Sequence, residues 1–130
     1  MRRSSEAFRR AVDRRQRQDE ARRLIDAVPK LAALELDVRE RRLHIPGHEV
    51  HHKRVIVVDR APALFEFACA DRSCEDGGHD LTSMVLRELS EGKTKFTGTH
   101  RCGGHARHVP CEYELTFVAE ARYRNDAAVH

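Results

Sequence analysis

Four cysteines in two pairs, Cys69-x4-Cys74 and Cys102-x8-Cys111, are the residues of this 130-residue chain best suited to chemistry. Four thiolates brought to one point form a closed tetrahedral site for a divalent ion such as zinc. Placement supports that use. Cys69 ends the apolar run Ala63, Leu64, Phe65, Phe67, Ala68, and Cys102 ends a second strand-like run over residues 95–101. Two strand-end loops separated by one short helix can meet, and Gly77-Gly78 and Gly103-Gly104 beside the thiols let backbone approach backbone. The expected site is therefore structural zinc held by Cys69, Cys74, Cys102 and Cys111. The spacings are wider than the common C-x2-C, so His79, His105 and His108 stand as alternates in a site of three cysteines and one histidine. Two disulfides would need an oxidising compartment, and the Arg-rich start carries no apolar signal region; zinc is preferred to disulfides or to four unrelated buried thiols.

A second motif is His48-Glu49-Val50-His51-His52, a literal H-E-x-x-H. Zinc hydrolysis by this motif needs a helix, because only i,i+4 spacing puts His48 and His52 on one face with Glu49 beside the metal-bound water. Pro46-Gly47 precedes it and the apolar run of residues 55–58 follows at once, leaving no room for a helix of ordinary length. A surface histidine cluster or an adventitious metal site is the preferred reading, and a hydrolase ranks third among the functions considered.

Charge is unevenly spread. Residues 1–30 hold nine Arg and one Lys against five acids, a net of +5, while the rest of the chain nets −2. Arginine outnumbers lysine 20 to 4, which suits bidentate phosphate or carboxylate recognition and equally suits a GC-rich genome. Residues 5–28 have helical periodicity in Phe8, Val12, Ala21, Leu24, Ile25 and Val28, stopped by Pro29, but residues 13–20 contain no apolar side chain. The second half of such a helix can pack; the first half projects as an arm. Glu6, Asp13, Asp19 and Glu20 count against an organellar transit peptide, no apolar run reaches membrane-spanning length, and a cytoplasmic location is the expectation.

The elements that must position the cysteines follow in order. Leu34, Leu36 and Val38 alternate with charged residues as a half-buried strand does; a polar, His-rich turn region follows. Residues 55–58 read as a second, central strand because the run is continuously apolar, and residues 64–69 as a third that delivers the first thiol. Asp80 is the expected cap of a helix carrying Leu81, Met84, Val85 and Leu89 and stopped at Gly92. Residues 95–101 form a fourth strand and residues 112–123 the longest, with Tyr113, Leu115, Phe117, Ala119, Ala121 and Tyr123 on one face.

The expected fold is α+β: a small, mostly antiparallel sheet of about five strands with one packed helix, a zinc site formed by two loops, and an N-terminal basic helix. Residues 1–30 form the arm, 31–124 the zinc-stabilised domain, and 125–130 a frayed terminus. The expected function is a non-enzymatic binding module that docks on nucleic acid or a ribonucleoprotein. Arg9, Arg10, Arg14, Arg15 and Arg17 of the arm would make the contact, with Lys95, Arg101 and Arg107 extending positive surface around the second cysteine loop. The alternative is a protein-interaction subunit of a larger complex. Nothing in the sequence suggests a small-molecule substrate or a membrane partner.

Overall fold

The computed structural model describes residues 2–47, 49–71, 73–106 and 108–124. The elements run α1 (Arg2–Glu20), α2 (Leu24–Ala27), β1 (Leu31–Arg42), β2 (Glu49–Ile56), β3 (Glu66–Phe67), β4 (His79–Asp80), α3 (Thr82–Ser90), β5 (Lys95–Arg101), β6 (His105–Ala106), β7 (Val109–Pro110) and β8 (Tyr113–Tyr123). Four of the strands make one antiparallel sheet in the order β2-β1-β8-β5, and the remaining four make two short ribbons, β3-β4 and β6-β7. The class is α+β, with four strands in the main sheet rather than about five.

Alternation decides which face is covered. Leu34, Leu36 and Val38 on β1 and Leu115, Phe117 and Ala119 on β8 are buried, and the register sets Leu36 against Ala119 and Val38 against Phe117. Val85 and Leu89 of α3 close over this face, with Leu24 and Leu81. Gly98 on β5 leaves room for the closure: a Cβ there would lie 2.4 Å from the Met84 sulfur and 2.6 Å from the Phe117 ring. The opposite face is polar and laced with ion pairs, among them Lys53–Glu35, Arg39–Glu49 and Arg41–Glu114.

The cap of α3 falls one residue later than expected: Leu81, not Asp80, is the N-cap, its carbonyl accepting from the Val85 N–H and its side chain making no cap bond, while Asp80 braces the turn from outside. The Asp80 carboxylate accepts from the Thr82 N–H at 3.0 Å, and the Thr82 hydroxyl accepts from the Phe65 N–H at 2.9 Å. At the far end Gly92 takes φ 75°, with its N–H on the Leu89 carbonyl and the Lys93 N–H on the Glu88 carbonyl. That pair of bonds is a Schellman stop, which favours glycine at the left-handed position.

Three expectations need correction. The N-terminal helix does not run unbroken to residue 28. It stops at Glu20 because Arg23 bridges to Pro62, the Leu24 N–H reaches the Ala61 carbonyl and the Ala63 N–H reaches Arg22. Tertiary backbone pairing replaces the intrahelical bonds for those residues, and one turn of helix resumes afterwards. The run 55–58 is not a central strand: β2 is the sheet edge, it ends at Ile56, and Val55 and Val57 are 71% and 60% exposed. The proposed third strand over 64–69 shrinks to β3, since the chain leaves the sheet there to pair with β4. The frayed terminus expected over 125–130 lies outside the described residues. No helix among the described residues is long and apolar enough to cross a membrane.

Candidate metal centre

Cys69 follows β3 and Cys74 closes a tight turn, in which the Ser73 N–H bonds the Asp71 carboxylate at 2.9 Å and the Cys74 N–H bonds the Asp71 carbonyl at 3.1 Å. Cys102 follows directly on β5, its N–H on the Tyr113 carbonyl of β8, and the Cys111 N–H reaches the Gly104 carbonyl. The two loops are stitched by a reciprocal pair, the Glu75 N–H on the His105 carbonyl at 2.7 Å and the His105 N–H on the Glu75 carbonyl at 3.1 Å. Backbone hydrogen bonding thus brings together thiols that are 42 residues apart in the case of Cys69 and Cys111.

All four sulfurs lie within 4.8 Å of one another, with Cys69–Cys111 and Cys74–Cys102 each at 3.6 Å. A zinc–sulfur bond of about 2.3 Å places tetrahedral sulfurs roughly 3.8 Å apart, whereas a disulfide needs about 2.05 Å. The four thiols are free, three of them buried and Cys69 half-buried. This cluster can hold a metal ion. It also demands the two glycines that face it: a Cβ on Gly77 would sit 2.3 Å from the Cys74 sulfur, and one on Gly104 would sit 2.5 Å from that sulfur and 2.6 Å from the Gly77 Cα. Gly103, by contrast, faces open space.

Without an ion, the thiols of Cys69, Cys74 and Cys102 differ in acidity. Burial, together with neighbouring sulfurs, pushes the Cys69 thiol far up and the Cys74 thiol up to about 12. Burial raises Cys102 too, but N–H donors from Gly78 at 3.3 Å and Gly104 at 3.5 Å outweigh it, and its thiol falls below the ordinary range. One thiolate is supported by the backbone; gathering more of them requires a cation.

His79 is engaged elsewhere. Its Nε2 lies 3.2 Å from the Glu40 carboxylate and its Nδ1 lies 2.8 Å from Nδ1 of His100. A carboxylate only accepts, so the His79 Nε2–H donates to Glu40; in a neutral ring the Nδ1 is then bare and accepts from His100. Glu40 also accepts from the Ala70 N–H at 2.7 Å, one residue beyond Cys69. Glu40, Leu115 and His100 occupy one cross-strand row, so the fully buried His79 bridges over Leu115 between two strands. His105 is taken into the inter-loop backbone pair and ribbon β6-β7, and His108 is exposed at φ 68°. The Glu40–His79–His100 chain is the feature that sequence reading missed. Its signal was a charged residue in the buried phase of the alternation Leu34, Leu36, Val38, Glu40.

The H-E-x-x-H stretch from Glu49 onward is strand β2, so His51 and His52 face opposite sides of the sheet. His51 pairs with Asp37 at 2.5 Å, and His52 packs toward the Phe67 ring, over which Arg54 stacks at 4.6 Å. His48 lies outside the described residues. Of the basic residues singled out by sequence, Arg10, Arg14, Arg17 and Arg101 line one cleft together with Asp13, Glu66, Asp76 and Asp80. Arg9 and Arg15 are exposed, Arg15 at the edge of a second cleft that it shares with His52, Arg54 and Phe67, Lys95 faces Glu120 across the polar sheet face, and Arg101 lies at the end of β5. Arg107 lies outside the described residues. Comparison with models of protein families, with curated proteins and with solved structures finds no match to this chain, so its fold and its cysteine centre stand on their own geometry.

Proposed function

We propose that Cys69, Cys74, Cys102 and Cys111 hold one structural zinc ion, and that the chain is a zinc-stapled binding module whose recognition element is α1 and whose partner is nucleic acid. The observation that carries the reading is the convergence of four thiols within 4.8 Å on loops held by their own backbone bonds. Soft sulfur donors suit zinc, and a fourth sulfur leaves no open coordination position for a substrate. The ion is then a staple, not a reaction centre. The partner follows from the arginines of α1, whose planar forks match phosphate oxygens, with Arg9 and Arg15 on its exposed side.

Zinc in protein purified under reducing conditions, measured by mass spectrometry of the metal, should be about one per chain. Cys74→Ser should lower both zinc content and thermal midpoint. Metal-free protein with an unchanged melting curve overturns the zinc assignment. Anisotropy titrations against mixed RNA and duplex DNA should show binding that weakens steeply with salt, and no binding at low salt overturns the nucleic-acid assignment. A protein partner is the second reading, favoured by Phe8 and Val12, which α1 leaves 71% and 46% exposed. Apolar docking there would survive high salt.

A further inference from the structure

Helix α1 meets the domain through the wrong side for a hydrophobic contact. Phe8 and Val12 face solvent, while Arg10, Arg14 and Gln18, spaced four apart, are half-buried against the domain. A cleft of about 580 Å³ lies between them, and its lining is divided by charge. The helix contributes Arg10, Arg14, Arg17 and Asp13, a net of +2; the domain contributes Glu66, Asp76, Asp80 and Arg101, a net of −2. One contact is closed: the Arg17 guanidinium reaches Glu66 at 3.1 Å through Nη2 and at 3.2 Å through Nε.

We propose that the wall formed by Glu66, Asp76 and Asp80 is a docking site for an arginine-rich helix, and that α1 occupies it in cis. The wall is built independently of the helix. Glu66 is on β3, Asp80 on its partner β4, and Asp76 stands in the first cysteine loop at φ 57°, so the ribbon and the metal centre together hold the three carboxylates. The pivot is built too. Arg22 and Leu24 are backbone-bonded to residues 61–63, which fixes the C-terminal end of α1, while over residues 8–20 the half-buried positions are Arg10, Arg14 and Gln18. Docking through charges across a cleft is steered by Coulomb attraction and screened by salt, unlike a packed apolar seam. Release uncovers Arg10, Arg14 and Arg17 together, at one helical face. The docking does not depend on what α1 binds once released.

A 19-residue helix with an eight-residue stretch lacking apolar side chains is marginal on its own, so amide exchange in α1 reports docking. Hydrogen-exchange mass spectrometry on the zinc-loaded full chain is the test. Combining Glu66→Gln, Asp76→Asn and Asp80→Asn should reduce protection over residues 8–20 by about tenfold, and so should raising salt from roughly 0.05 M to roughly 0.5 M. Protection in β1 and β8 should hold. Asparagine tolerates the left-handed backbone of residue 76 and keeps an acceptor for the Thr82 N–H at residue 80. The mirror variant Arg10→Gln, Arg14→Gln, Arg17→Gln should give the same loss without touching the wall, which keeps the test decisive if the first variant disturbs the cysteine loops. Neutralising Glu35 and Glu120 on the far sheet face should change nothing. Protection of α1 that ignores salt and both triple variants overturns the proposal, and protection that rises with protein concentration overturns the cis assignment in favour of a helix from a second copy.

Discussion

The two ends of the main sheet are built on different chemistry. Along the inner face, the rows Leu34–Ala121, Leu36–Ala119–Phe96 and Val38–Phe117–Gly98 are apolar and roofed by α3. The next row, Glu40–Leu115–His100, is roofed by His79, and beyond it stand the four thiols. One end is held by buried apolar area, the other by hydrogen bonds and, in the reading above, by metal–sulfur bonds. A chain with no tryptophan, seven Phe and Tyr, and 35% charged residues has too little apolar volume to roof both ends the same way. A ligand centre supplies the order that packing cannot.

Removing the metal should therefore separate the ends. Structural zinc contributes an apparent ~10–16 kcal/mol in small zinc domains, so chelation should abolish amide protection around residues 69–80 and 102–113 while β1 and β8 keep part of theirs. Loss of both ends in one transition would break the comparison. The sign with pH is fixed by the thiols. A Cys74 thiol held up to about 12 in the metal-free fold is protonated at neutral pH and must release its proton to bind. Metal affinity should fall as pH is lowered from about 8 to about 6, with proton release on loading visible by calorimetry in two buffers.

Phe117→Ala tests the apolar end. It empties a fully buried site between Phe96, Met84 and α3 and should cost about 3–5 kcal/mol by chemical denaturation, with zinc stoichiometry retained. His79→Ala tests the seam between the ends. It strands a buried carboxylate at Glu40 and should cost about 3 kcal/mol, whereas Glu40→Gln, which keeps an acceptor for Ala70 and His79, should cost about 1 kcal/mol. The last pair of variants tests the geometry of the centre itself. Gly104→Ala should weaken zinc binding by about 1–3 kcal/mol because its Cβ meets a sulfur and backbone, and Gly103→Ala should leave competition titrations unchanged.

What was legible in the sequence follows the same division. Leu34, Leu36, Val38 and the long alternation of β8 announce an apolar face because side chains on a strand repeat every two residues, and Gly92 marks the end of α3 because a left-handed stop is local chemistry, while Asp80 marks its start to within one residue. The cysteine pairs were visible as types and spacing. Their convergence was visible only as a possibility, since it rests on the Glu75–His105 backbone pair, which leaves no side-chain signature. The same holds for the break at residues 21–23, where pairing with Ala61 and Pro62 outcompetes a helix that local periodicity supports. The valine run at 55–58 misled because continuous apolarity suits a covered strand, and only sheet order reveals β2 as an edge.

The register of β1 against β8, from Leu31 opposite Tyr123 to Arg42 opposite Tyr113, has a consequence for the order of events on the ribosome. The two central strands of the sheet are far apart in sequence, β1 ending at Arg42 and β8 beginning at Tyr113. Translation delivers β1 and β2 as a hairpin early, but the pair that carries Leu36, Val38 and Phe117 cannot close until residues 113–123 have left the exit tunnel. Until then four thiols and an apolar hairpin face wait unshielded. Long-range closure of this kind folds slowly, and nascent chains arrested before Tyr113 should be captured by chaperones and open to thiol alkylation, whereas chains released past Tyr123 should be neither.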